Sequence, residues 1–156
     1  MEHNYTVMKI CVKGYLRYIR QAECELAELE SKINKCKERL ELGGVRYDSE
    51  HVSGTVGFDK IADGLIMLNE ALSDYYELYA GYHDDLKRAE TITSVIYPNR
   101  HVVALHEIKG MTWANIAKSM NYSERTIRNM AQNGIVEIYA EMPELFRRSE
   151  IPNAAV

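Results

Sequence analysis

The chain lacks the features that would place it in a membrane, in a disulfide framework or in a familiar enzyme class. No run of about 18 apolar residues occurs in its 156 residues, so no segment is expected to span a bilayer. Met1 to Lys9 is polar and has no signal-peptide core, which makes a cytoplasmic location the expectation. Cysteine is sparse. Cys11, Cys24 and Cys36 are odd in number and contain no CxxC pair, which argues against both a disulfide network and a zinc site. Each reads as a small apolar filler on a helix.

Catalytic signatures are also missing. Neither GxGxxG nor a Walker A loop is present, so the nucleotide-cradling backbone these supply is absent. His101 and His106 are five residues apart, about 140° around a helix, which makes them a poor metal pair. Asp48, Glu50 and His51 read as a solvated loop. No enzyme activity, cofactor or metal is expected.

A basic surplus is missing from the whole, with a net charge of −4, but its distribution is uneven. Residues 1–94 carry 12 Lys/Arg and 17 Asp/Glu, a net −5; residues 95–148 carry 7 and 5, a net +2. The sign of the second part fits nucleic-acid binding by that part alone. The apolar fraction of 46% is that of a folded chain.

What is present is helical periodicity. Val12, Tyr15, Ile19, Ala22, Leu26, Leu29, Ile33, Cys36 and Leu40 alternate in steps of three and four, a heptad seam flanked by charge. Gly43-Gly44 is the expected stop, followed by a polar connector to Gly57. From Phe58 to Ala89 the alternation returns, through Ile61, Leu65, Leu68, Leu72, Tyr75, Tyr79, Tyr82 and Leu86. Two such seams joined by one loop predict a long antiparallel, coiled-coil-like helical hairpin. The alternative is that a seam pairs with another copy of the chain. Tyr75, Tyr76, Tyr79 and Tyr82 have the types of a base-stacking platform. Asp74, Glu77, Asp84 and Asp85 beside them favour instead a seam whose phenol tips reach water.

Pro98 interrupts the pattern. It holds Tyr97 extended and suits the first turn of a new helix. The boundary falls at about Thr91 to Tyr97, dividing the chain into 1–94, 95–148 and a tail, 149–156. Three short helices are predicted in the second part. The first runs from Asn99 to Ile108 and stops at Gly110. The second is capped by Thr112 and runs to Met120, with Trp113, Ile116, Ala117 and Met120 inward. Asn121 sits at the sharp turn, where a left-handed conformation is needed. The third is capped by Ser123, with Ile127 and Met130 inward. Gly134 leaves two readings open: a close packing contact within one helix, or a break and restart.

On the outward side of the third helix lie Glu124, Arg125, Thr126, Arg128, Asn129 and Gln132. These include the types that read base edges: Arg for guanine, Asn and Gln for adenine, Thr for the thymine methyl. The spacing predicts a helix-turn-helix, with Ser123 to Asn129 entering the major groove of double-stranded DNA.

GMTWANIAKSMNYSERTIRN resembles the helix-turn-helix of region four of bacterial sigma factors. The layout of the whole chain resembles the phage-encoded, sigma-like late-gene transcription regulators of the ArpU and RinA type. The resemblance implies DNA contacts at Ser123, Glu124, Arg125, Arg128 and Asn129, a buried Ile127, and RNA polymerase as a partner. The chain departs from the pattern after the third helix, where Glu137, Glu141 and Glu144 replace a basic run. Phosphate contacts supply most non-specific affinity, so a monomer is expected to bind weakly and a homodimer, or polymerase, to help. The implied function is a sequence-specific transcription regulator. Two other classes share these features: a DNA-recognising packaging subunit of small-terminase type, and a protein-interaction module.

Overall fold

The computed structural model describes residues 2–44 and 56–147. Most of the connector expected at residues 43–57, with Asp48, Glu50 and His51, lies outside the described residues, as does the tail at 149–156. Every element among the described residues is a helix: α1 (Glu2–Gly44), α2 (Val56–Ile92), α3 (Pro98–Glu107), α4 (Trp113–Met120), α5 (Glu124–Glu141) and α6 (Glu144–Arg147). The chain is all-α, as its periodicity predicts. No described helix is long and apolar enough to cross a membrane.

By compactness the chain divides into two units, Met1–Ala22 with Asp84–Val156, and Glu23–His83. This division does not follow the linear boundary near residue 94. Residues of the first turns of α1 and of the end of α2 share the core of the C-terminal segment.

In the first unit, Val12, Tyr15, Leu16 and Ile19 of α1 are buried in one cluster with Val102 of α3, Ile116 of α4, and Ile127 and Ile138 of α5. The Tyr15 ring lies 4.9 Å from that of Phe146. Lys13 pairs with Glu107 at 3.5 Å, and the Tyr18 hydroxyl donates to Asp85 Oδ2 at 2.8 Å. Arg147 Nη2 donates to the carbonyls of Ala140 and Met142, both at 2.7 Å, and so closes the end of α5, where carbonyls have no helical partner. The Pro98 break stands at the start of α3, after a non-helical Tyr97.

Tyr15 is fully buried, and its hydroxyl has no hydrogen-bond partner among the described residues. Burial first, then the neighbouring Asp85 charge, pushes its pKa up to about 12, with Arg88 opposing. A folded pKa above the unfolded value of 10.0 means stability that is complete below pH 10 and is lost as pH rises towards 12. Tyr15→Phe removes an unpaired buried hydroxyl and keeps the ring. It is expected to raise stability by about 1 kcal/mol at neutral pH. The difference between the two melting temperatures should widen from pH 8 to pH 11. A variant that melts lower than the parent at both would show that the hydroxyl has a partner.

In the second unit, Leu26, Ile33 and Cys36 of α1 are buried as the heptad seam predicts. The Tyr82 hydroxyl of α2 donates to Glu25 Oε2 at 3.1 Å, and this bond is the first cause that raises its pKa. A Cβ added at Gly64 would lie 2.8 Å from Leu40 Cδ2. The face that α2 turns inward is rotated from the expected one. Leu68, Leu72, Tyr75 and Tyr82 of the expected seam are half-buried, but Gly64 and Leu78 are half-buried and Ala71 is buried in place of Ile61, Leu65 and Tyr79. Those last three are 42%, 49% and 39% exposed. The positions 64, 68, 71, 75, 78 and 82 also alternate in steps of four and three. α2 thus carries two overlapping heptad lines, and the one with small residues lets the helices approach closely.

Candidate nucleic-acid interface

The local signals of α3 to α5 act as the residue types require. α3 gives way at Lys109 and Gly110. Gly110 has φ +69°, a left-handed value that suits glycine, and the Met111 amide then donates to Leu105 O at 3.0 Å. Thr112 caps α4, its Oγ1 accepting from the Asn115 amide at 3.2 Å. Asn121 has φ 58° and ψ 39° and ends α4 in the left-handed region, where asparagine is tolerated better than other side chains. The Tyr122 amide donates to Ala117 O at 3.0 Å, which tightens the turn. Ser123 then caps α5, accepting from the Thr126 amide at 3.1 Å. Ala117 and Ile116 are buried between α4 and its neighbours, and the small Ala117 permits a close crossing.

The seven residues expected to meet DNA divide into two groups. Glu124, Arg125, Arg128, Asn129 and Gln132 are exposed on α5. Ser123 and Thr126 serve the helix start itself, their hydroxyl oxygens 2.9 Å apart. Thr126 is half-buried, so its methyl and hydroxyl are less available than its sequence position implies. Ile127 and Ala131 are buried and Met130 is half-buried, which directs the polar face outward.

Arg128 is held loosely. Its Nη2 lies 3.8 Å from Glu124 Oε2, one helical turn back, with both side chains more than half exposed. Such a pair contributes little. Its guanidinium also lies over the Trp113 ring, 5.7 Å from the centroid. The Trp113 ring in turn stacks on His106 at 3.8 Å and 20°. His106 Nδ1 is 2.8 Å from Met111 O; a carbonyl can only accept, so this nitrogen carries the hydrogen and fixes the tautomer. The His106–Trp113 pair therefore places a flat, anchored surface beside Arg128, and aromatic contact with a guanidinium contributes about 0.5–1 kcal/mol at an exposed site.

Comparison with protein-family models, with curated proteins and with solved structures finds no match to this chain.

One cation at this site is invisible to local sequence reading. Arg20 of α1 brings Nη2 to 3.7 Å from where a Cβ on Gly110 would stand, beside the turn that opens α4. It is 90 residues away in sequence, and only the packing of the first unit brings it there. No group of His, Cys, Asp or Glu among the described residues is arranged to hold a metal ion. A surface groove of about 430 Å³ in the second unit is lined by Asp74 and Glu77 together with Leu29, Leu78, Gly81 and Tyr82. Its carboxylates would repel a phosphate backbone.

Proposed function

We propose that the chain is a sequence-specific transcription regulator that binds double-stranded DNA through a helix-turn-helix formed by α4 and α5. One observation carries this reading: Arg125, Arg128, Asn129 and Gln132 all stand exposed on the first turns of α5, a helix whose start is held by Ser123 and preceded by the left-handed Asn121. A helix with that outer face can enter the major groove and offer bidentate donors to guanine and adenine edges. The likeness to sigma region four and to phage-encoded late-gene regulators of the ArpU and RinA type belongs to the same proposal, with RNA polymerase as a partner and a cytoplasmic site of action. The pairing of Tyr82 with Glu25 and the closeness of Gly64 to Leu40 support the antiparallel hairpin reading of α1 and α2. No catalytic step is assigned to the chain.

Selection of bound sequences from a random duplex pool tests this directly. Enrichment of one short sequence, with affinity that falls steeply as salt rises, is the expected result. Binding with no preference at any ionic strength would sink the reading. Within it, Arg20 is assigned to a phosphate beside the start of α4. Arg20→Ala should weaken binding to all sequences alike and reduce the slope of log affinity against log salt by about one. An unchanged slope removes Arg20 from the interface.

A further inference from the structure

The rotated seam of α2 leaves a second line of apolar residues exposed among the described residues. Ile61, Leu65, Tyr76 and Tyr79 are 42%, 49%, 65% and 39% exposed. With the half-buried Leu68 and Leu72 and with His83, they lie within about one sixth of the helix circumference on either side of a common line. The flank of this line is formed by Ala62, Asn69, Ser73 and Ala80, all exposed and all uncharged. From Ile61 to His83 the carboxylates of α2 lie elsewhere. Asp63, Glu70, Glu77 and Asp84 are seven residues apart and run along the helix roughly a third to half a turn away. Along more than 20 residues, this band of α2 carries no charge. A surface patch rich in tyrosine and leucine and empty of charge has the composition of an interface centre.

We propose that a second copy of this chain docks on this face, α2 against α2 and antiparallel, about a two-fold axis at Leu72. Three observations select a second copy over other occupants. The first is symmetry of spacing. The line runs through 61, 65, 68, 72, 76, 79 and 83, in steps of four, three, four, four, three and four. The steps read the same in both directions from Leu72. In an antiparallel pair Leu65 meets Tyr79, Leu68 meets Tyr76 and Ile61 meets His83, so each smaller side chain faces a ring. An isologous interface requires this self-complementarity, and a foreign partner does not.

The second is charge. The chain carries −4 overall, so a foreign helix of opposite sign would need carboxylates beside the stripe to recognise. They are turned away from it, and an uncharged face can meet its own copy without like-charge repulsion. The third is area. At about 200 Å² for a fully exposed large side chain, the four exposed residues alone amount to roughly 400 Å². Leu68, Leu72, His83 and the uncharged flank bring the band towards the roughly 800 Å² per partner of a standard interface. The Tyr79 hydroxyl, 3.0 Å from His83 Nδ1, and the Tyr75 and Tyr79 rings, stacked at 6.1 Å, hold the aromatic end of the stripe in place.

This proposal does not depend on DNA binding, and its test uses none. The full chain is measured by sedimentation equilibrium, where twice the 17.9 kDa chain mass is expected. Leu65→Glu and Tyr79→Glu, each at an exposed position, should weaken the dimer about a hundredfold while the helical circular-dichroism signal is kept. Ile66→Glu, 56% exposed but off the stripe, should leave it intact. In a Cys24→Ser background, Leu72→Cys should form a disulfide between copies under mild oxidation, and Ile66→Cys should not. A monomer at all concentrations, a larger ring, or a dimer indifferent to Leu65→Glu and Tyr79→Glu would each overturn the proposal. The disulfide arm decides the axis even if a glutamate variant fails to fold.

Discussion

Replacing Gly134 by alanine is expected to destabilise the first unit by about 3 kcal/mol, although alanine is the better helix former. In an open helix the exchange would stabilise by about 1 kcal/mol. Here the glycine lies inside α5, which runs without a break from Glu124 to Glu141, and it is buried. A Cβ at this position would overlap the Asn99 carbonyl oxygen. It would also stand 2.6 Å from the Asn99 carbonyl carbon and 2.9 Å from Val103 Cγ2. The obstacle is chiefly backbone, in the first turn of α3, and it cannot rotate aside. Asn99 Nδ2 donates to Glu137 Oε1 at 2.9 Å, and Arg100 pairs with Glu137 Oε2 at 3.4 Å. These bonds tie the two helices together at the crossing. To admit a methyl group α3 must move off α5 and disturb the core they share. A fall in melting temperature of roughly 10 °C or more is expected for a unit of this size. A Gly134→Ala protein that melts at or above the parent temperature would mean that α3 and α5 are not in close contact here. Of the two readings the sequence leaves for Gly134, the structure selects close packing.

The second large effect is expected on DNA binding. Arg125→Ala together with Arg128→Ala should lower affinity for the selected sequence about a hundredfold or more, since each well-placed bidentate contact discriminates by about 1–3 kcal/mol. Both side chains are exposed, so the melting temperature should be unchanged. Releasing Arg128 from Glu124 and Trp113 costs little, because the ion pair is open to water and weak. The distinguishing measurement is binding to altered sequences. Loss of a base contact relaxes preference at one position of the site. Loss of a phosphate contact, as expected for Arg20→Ala, lowers affinity for every sequence equally. If the double variant binds the selected and a scrambled duplex with the same proportional loss, α5 is not the reading helix.

The caps explain why so much of the C-terminal segment was legible. Thr112 and Ser123 each accept from an amide three residues on, and Gly110 and Asn121 adopt left-handed conformations. These effects involve residues within one turn of each other, so residue type and spacing are enough to place α4 and α5. The heptad of α1 was legible for a similar reason, since a helix repeats its facing positions at a fixed interval. Helix class, the starts of α4 and α5, the turn between them and the exposure of Glu124, Arg125, Arg128, Asn129 and Gln132 were therefore legible in sequence alone, whereas the half-buried Thr126 and the short α6 were not.

The remainder depended on which surfaces meet, and periodicity does not contain that. Both heptad lines of α2 are regular; Gly64, which lies close to Leu40, and the buried Ala71 stand on one of them, while Ile61, Leu65 and Tyr79 of the other are exposed. Tyr15 belongs to the same seam as Leu26, yet it packs on Phe146, 131 residues away, which joins the start of α1 to the core of the C-terminal segment. Arg20 reaches Gly110 by that same packing. Short-range hydrogen bonds and steric preferences set the local elements. The division into units, the close crossing at Gly134 and the uncovered stripe on α2 follow from long-range fit between side chains, and only the tertiary structure decided them.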